Sequence, residues 1–179
     1  LTLSPPVEPN SQPVHTSGKP VWNIYTFFST LLGLGFVPFM PGTFGTFAAA
    51  ALYLAIPEQY FTVFPYLLYL MLPLVLLFFA GVYLTKKAEQ VLGHDAGSII
   101  IDELVGYFVA VLFLPQSLLM AVYTFAIFRV FDIAKPYPIK KLQLFPHGWG
   151  IMADDVLAGI YTNVFMQILL RLYPKFFIN

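Results

Sequence analysis

The chain of 179 residues is 59% hydrophobic and only 10% charged, against about 25% charged in soluble domains, so lipid rather than water is its expected solvent. A formal net charge of zero, with no basic run longer than Lys140-Lys141, excludes electrostatic capture of nucleic acid, and the lack of cysteine excludes disulfides, thiolate metal sites and cysteine nucleophiles. The length leaves room for about four to five membrane spans and short loops, but not for a sizeable soluble domain. The expected fold class is all-α, a compact polytopic membrane helix bundle of about four to five spans with an interfacial N-terminal helix.

Residues 1–20 are polar and proline-rich, with Glu8 and Lys19 as their only charges, and read as a disordered tail ahead of a single membrane-embedded helical domain over 21–179. They lack the basic start of a signal peptide. Trp22 to Phe39 is aromatic and apolar but interrupted by Gly33, Gly35 and Pro38, which suits an interfacial or re-entrant helix. Pro41-Gly42-Thr43-Phe44-Gly45-Thr46 follows, with a short Ala-rich apolar stretch from Phe44 to Ile56. Val63 to Leu84 runs 22 residues without a charge and is the clearest span despite Pro65 and Pro73. Lys86 to Leu92 is a polar interlude. Ile99 to Leu114 and Leu118 to Ile133 then read as an antiparallel helical hairpin turning at Pro115. A loop from Lys135 to Gly150 leads to a last helix from about Asp154 to Tyr173.

The acids carry the chemistry. Asp102, Glu103, Asp132, Asp154 and Asp155 sit inside or against apolar stretches, where an ionised carboxylate costs roughly 3 kcal/mol or more and normally lines a polar site. Lys86-Lys87 follow the clearest span and Lys135, Lys140 and Lys141 the returning arm of the hairpin, so both clusters fall on one side, cytoplasmic by the positive-inside rule, although Arg171 and Lys175 lie at the other end. The same tracing brings all these acids, and the Pro41 to Thr46 turn, to that one face.

Asp102 and Glu103 stand about 100° apart on a helix, with Gly106 one turn beyond Asp102. Asp154 and Asp155 repeat the arrangement with Gly159. Either first acid also suits a helix N-cap, which leaves the second to be explained. Arg129 and Asp132, three apart, form a structural ion pair on one reading. On the other, Arg129 grips a phosphate in its planar fork, with Lys135 and Lys140 adding charge nearby. A cluster of hard oxygen ligands suits Mg²⁺ with a substrate phosphate. The Thr43 and Thr46 hydroxyls and the amides of their turn suit an anion. His94 and His147 flank loops at the same face, and Asp95 reads as a loop acid.

Four segments, Met40 to Thr46, Ile101 to Gly106, Phe128 to Ile139 and Gly150 to Gly159, together resemble the phosphatidylglycerophosphatase A family of bacterial membrane enzymes, in the family's order and spacing over roughly Gly33 to Leu170. The long polar N-terminal tail, Phe36 and Trp149 depart from the family's pattern. The resemblance implies Mg²⁺-dependent hydrolysis of phosphatidylglycerol phosphate to phosphatidylglycerol and phosphate at the cytoplasmic leaflet of the bacterial inner membrane. Joined to the residue reading, it implies a metal site of Asp102, Glu103, Asp132, Asp154 and Asp155. Catalysis then falls to Asp102, Glu103, Asp132, Asp155 and Arg129, and phosphate binding to Thr43, Thr46, Arg129, Lys135 and Lys140. Water is the expected nucleophile, an aspartyl phosphate the second choice, and self-association into a homo-oligomer stays open. The rival readings are a phosphatase or phosphotransferase acting on another lipid phosphate, a small cation or proton transporter, and a purely structural membrane subunit.

Overall fold

A computed structural model describes residues 22–93 and 96–177, so the tail over 1–20, His94 and Asp95 lie outside the described residues. The described residues are helical, with no strand among them. In chain order the helices are α1 (Ile24–Ser29), α2 (Pro41–Ala55), α3 (Gln59–Thr62), α4 (Tyr66–Leu92), α5 (Ile101–Val111), α6 (Leu118–Ala134), α7 (Ile139–Leu142), α8 (Trp149–Leu172) and α9 (Pro174–Phe177).

Local chemistry sets the boundaries. Asn23 caps α1, its side chain accepting from the Thr26 amide at 2.8 Å while the Thr26 hydroxyl accepts from the Asn23 amide at 2.9 Å. The helix then stops early: Leu31, Leu32 and Gly33 turn through positive φ into a short 3-10 turn at Leu34–Phe36. This segment docks on the chain leading to α5, where the Ile100 amide donates to the Ser29 carbonyl at 2.9 Å. α2 opens with Pro41 in its first turn, where the missing N–H costs nothing, so the Pro-Gly-Thr segment is helix rather than a turn before one. Ser117 caps α6 by accepting from the Met120 amide at 3.0 Å.

Three expectations are corrected. α4 extends through Lys86 to Leu92, because Lys, Ala, Glu and Gln are good helix formers and nothing breaks the run before Gly93 at φ +97°. α8 begins at Trp149 rather than near Asp154, Gly148 at φ +79° being its N-cap. Asp154 and Asp155 therefore lie in its second turn and cap nothing at its start. The count of four to five spans is also not met by length: α4 and α8 are the two helices long and apolar enough to cross a membrane among the described residues. At 15, 11 and 17 residues, α2, α5 and α6 cover only about 22, 16 and 26 Å.

α5 is the central helix, buried along nearly its whole length and packed by α2, α4, α6 and α8. Its closest neighbour is α8, because both present glycine at the crossing. A Cβ on Gly106 would lie 2.7 Å from the Asp155 carbonyl oxygen, and one on Gly159 would collide with the Gly106 carbonyl. At the far end, Asn163 of α8 donates to the carbonyls of Ala110 at 2.9 Å and Leu112 at 2.6 Å, satisfying the end of α5. The Tyr107 hydroxyl, buried in the α5–α6 seam, donates to the Ala121 carbonyl at 3.0 Å.

Candidate active site

Helix ends meet around one cavity of about 280 Å³. The first turn of α5 contributes Asp102 and Glu103, the last turns of α6 Arg129 and Asp132, its C-cap Lys135, the second turn of α8 Asp154 and Asp155, and the start of α2 Gly42. Asp102, Glu103 and Asp132 are 9%, 7% and 9% exposed, and Asp154 and Asp155 2% each.

Arg129 holds the centre. Its Nη1 donates to both Glu103 oxygens at 2.7 Å and to Asp132 Oδ2 at 2.7 Å, so both readings of the Arg129–Asp132 pair start from a real contact. The Thr46 hydroxyl lies 2.8 Å from Glu103 Oε2 and fixes that carboxylate from behind. Gly42 makes room for the pair: a Cβ there would collide with Glu103 Oε1 and lie 3.2 Å from Arg129 Nη1. Across the cavity, the Lys135 ammonium pairs with Asp154. Burial disfavours the charge on Lys135, but the Asp154 carboxylate outweighs it and holds the lysine above its ordinary pKa.

The remaining acids have no such partner. Asp102 Oδ1 and Asp155 Oδ2 are buried without a hydrogen bond, and oxygens of Glu103, Asp132 and Asp155 lie within 4.8 Å of one another. Five carboxylates line the cavity against two basic side chains, Arg129 and Lys135. Like charges so close, out of water, call for a cation, and a donor set made of hard oxygens fits a divalent metal ion.

The structure thus brings together Asp102, Glu103, Asp132, Asp154, Asp155, Arg129 and Lys135. It does not bring every expected residue to the cavity wall. Thr46 is fully buried against Glu103, and Thr43 and Lys140 are absent from the lining, Lys140 being exposed on α7. His147 lies on a separate surface hollow with Lys86 and Glu89. The supporting contacts of Thr46 and Gly42 were hidden in the sequence, where both stood out only as parts of an anion-binding turn.

The model of the phosphatidylglycerophosphatase A family matches residues 27–170. The chain belongs to that family. Its relatives include phosphatidylglycerophosphatase A of Haemophilus influenzae, 38% identical over 74% of this chain and 80% of that protein. The enzyme of the same name from Escherichia coli is 35% identical over 86% of this chain and 88% of that one. A Bacteroides thetaiotaomicron protein with the provisional name phosphatidylinositol-3-phosphatase is 38% identical over 78% of this chain and 89% of its own length. No solved structure matches the chain. Membership of the phosphatidylglycerophosphatase A family makes the chain an enzyme, a phosphoric monoester hydrolase, and its two long apolar helices agree with a membrane protein.

Proposed function

We propose that the chain is an Mg²⁺-dependent phosphatidylglycerophosphatase of the bacterial inner membrane, a multi-pass protein working as a single catalytic domain at the cytoplasmic leaflet. The observation that carries this reading is the pair of buried, unpartnered carboxylate oxygens on Asp102 and Asp155, facing the same cavity as Arg129 and Lys135. Asp102, Glu103, Asp132 and Asp155 are the residues that hold Mg²⁺, with Asp154 shared between that site and Lys135. When bound there, the ion supplies neutralisation of phosphate oxygens and acidification of water.

The chain's own residues do the rest. Arg129, anchored through Nη1, lines the cavity and offers its positive charge to the phosphate, and Lys135 adds a second positive charge from the other wall. Both stabilise the equatorial oxygens as negative charge spreads over them. Thr46 and Gly42 act through Glu103, which they hold in place. Water adds to phosphorus as the bond to the glycerol oxygen breaks, and phosphatidylglycerol leaves as the alcohol. The apolar part of the cavity lining, Met40, Ile99 and Ile151, suits a phosphate carried by a lipid.

The name of the Bacteroides relative favours a second substrate, phosphatidylinositol 3-phosphate, with the same bond cleaved. Phosphate release by purified protein in detergent, from each lipid, with Mg²⁺ and with excess chelator, separates the readings. Metal-dependent release from phosphatidylglycerol phosphate is expected. Release only from the inositol lipid replaces the substrate, and chelator-insensitive release removes the metal.

A further inference from the structure

We infer that Asp154 is a positioning residue rather than a metal ligand: it fixes the Lys135 ammonium in the cavity wall, so that this cation stands ready before the substrate phosphate arrives. The inference rests on the lipid phosphatase reading above and narrows the part that Asp154 plays in it.

Two observations separate the five acids that line the cavity. Oxygens of Glu103, Asp132 and Asp155 converge within 4.8 Å of one another. Asp102 and Asp155 each keep a buried oxygen without a hydrogen bond, open to a cation. Asp154 alone among the five carries neither mark. Its Oδ2 pairs with the Lys135 ammonium, and its Oδ1 accepts from the Asp155 amide at 3.0 Å, so both of its oxygens already have a donor. The Asp154 side chain is 2% exposed and that of Lys135 24%, which makes the lysine the accessible member of the pair.

Lys135 is a side chain that needs holding. An ammonium on a flexible four-carbon stem serves a transition state only where that stem is ordered beforehand. The residue is the C-cap of α6 at φ 41° and ψ 59°, a left-handed position that glycine or asparagine ordinarily fills. Neither of those would bring a positive charge to this wall. The backbone turn fixes where the stem begins and Asp154 holds where it ends, while the backbone of α8 holds Asp154 through Oδ1.

The test uses the full chain in detergent, with Mn²⁺ binding read by electron paramagnetic resonance and turnover by phosphate release from phosphatidylglycerol phosphate. Lys135→Met/Asp154→Asn removes the pair as a unit and leaves the net charge of the cavity unchanged. Its Mn²⁺ affinity should stay within about threefold of the unaltered protein's, whereas Asp155→Asn should lose about tenfold or more. A loss of about tenfold or more in the double variant makes Asp154 a ligand and overturns the inference. Asp154→Asn alone, at saturating Mn²⁺, should lower kcat about tenfold, yet lower it no further in the Lys135→Met background, because it acts through that residue. Full turnover in Asp154→Asn, or an added loss in the Lys135→Met background, overturns the positioning role. Lys135→Met by itself strands a buried carboxylate, so the double variant should melt at a higher temperature than this single one. Absence of Mn²⁺ binding by the unaltered protein removes the metal reading, and binding without phosphate release removes the substrate; either takes this inference with it.

Discussion

At the residue scale the site is a set of conflicts held in place by two cations. Arg129 satisfies Glu103 and Asp132, Lys135 satisfies Asp154, and Asp102 and Asp155 each keep a buried oxygen without a hydrogen bond. Without metal, Asp155 is therefore a burden on the fold. Asp155→Asn keeps the shape and removes a charge, so in chelator its melting temperature should equal or exceed that of the unaltered protein, while Mg²⁺-dependent phosphate release is lost. A lower melting temperature in chelator would mean that Asp155 has a structural partner. Arg129→Lys keeps the charge but not the fork, and one ammonium cannot bridge Glu103 and Asp132 while also meeting a phosphate. Its kcat should fall on the order of a hundredfold, the cost of removing one donor to transition-state charge. The acids were legible in the sequence because charge in an apolar stretch stands out against its surroundings. Of their partners only Arg129, three residues from Asp132, was legible; Thr46 and Glu103 lie 57 positions apart and Lys135 and Asp154 19 apart, and only packing brings them together.

At the element scale the spacing of glycine after acid, Asp102 with Gly106 and Asp155 with Gly159, foreshadowed the α5–α8 crossing. What it could not show was which backbone would fill each gap. Gly106→Ala places a methyl group 2.7 Å from the Asp155 carbonyl oxygen and 2.8 Å from Phe128, so the helices must part. About 1–3 kcal/mol of stability should be lost, read as a fall in melting temperature in detergent. Gly97→Ala, with nothing within 4 Å of the new methyl group, should leave the melting temperature where it was. Helix ends were less legible than helix existence. α5 stops at Val111 although apolar residues continue to Leu114, because Phe113 turns at φ +63° and the freed carbonyls find Asn163 instead. The start of α8 was misplaced because a glycine N-cap gives no side-chain signal.

At the scale of the whole molecule, the site is built where helix ends meet, at the first turn of α5, the last turns of α6 and the second turn of α8, rather than midway along the two helices of spanning length. That placement leaves the site exposed to the mechanics of the membrane, since the long helices tilt when bilayer thickness changes. The glycine crossing answers this as a pivot. It lies within one helical turn, about 6 Å, of Asp102 and of Asp155, so rocking α5 against α8 by about 10° moves those residues by at most about 1 Å. A crossing at the far end of the helices would double or triple that lever arm. Turnover should accordingly vary less than about threefold across vesicles of short to long acyl chains, and Gly106→Ala, which loosens the pivot, should make the dependence steeper.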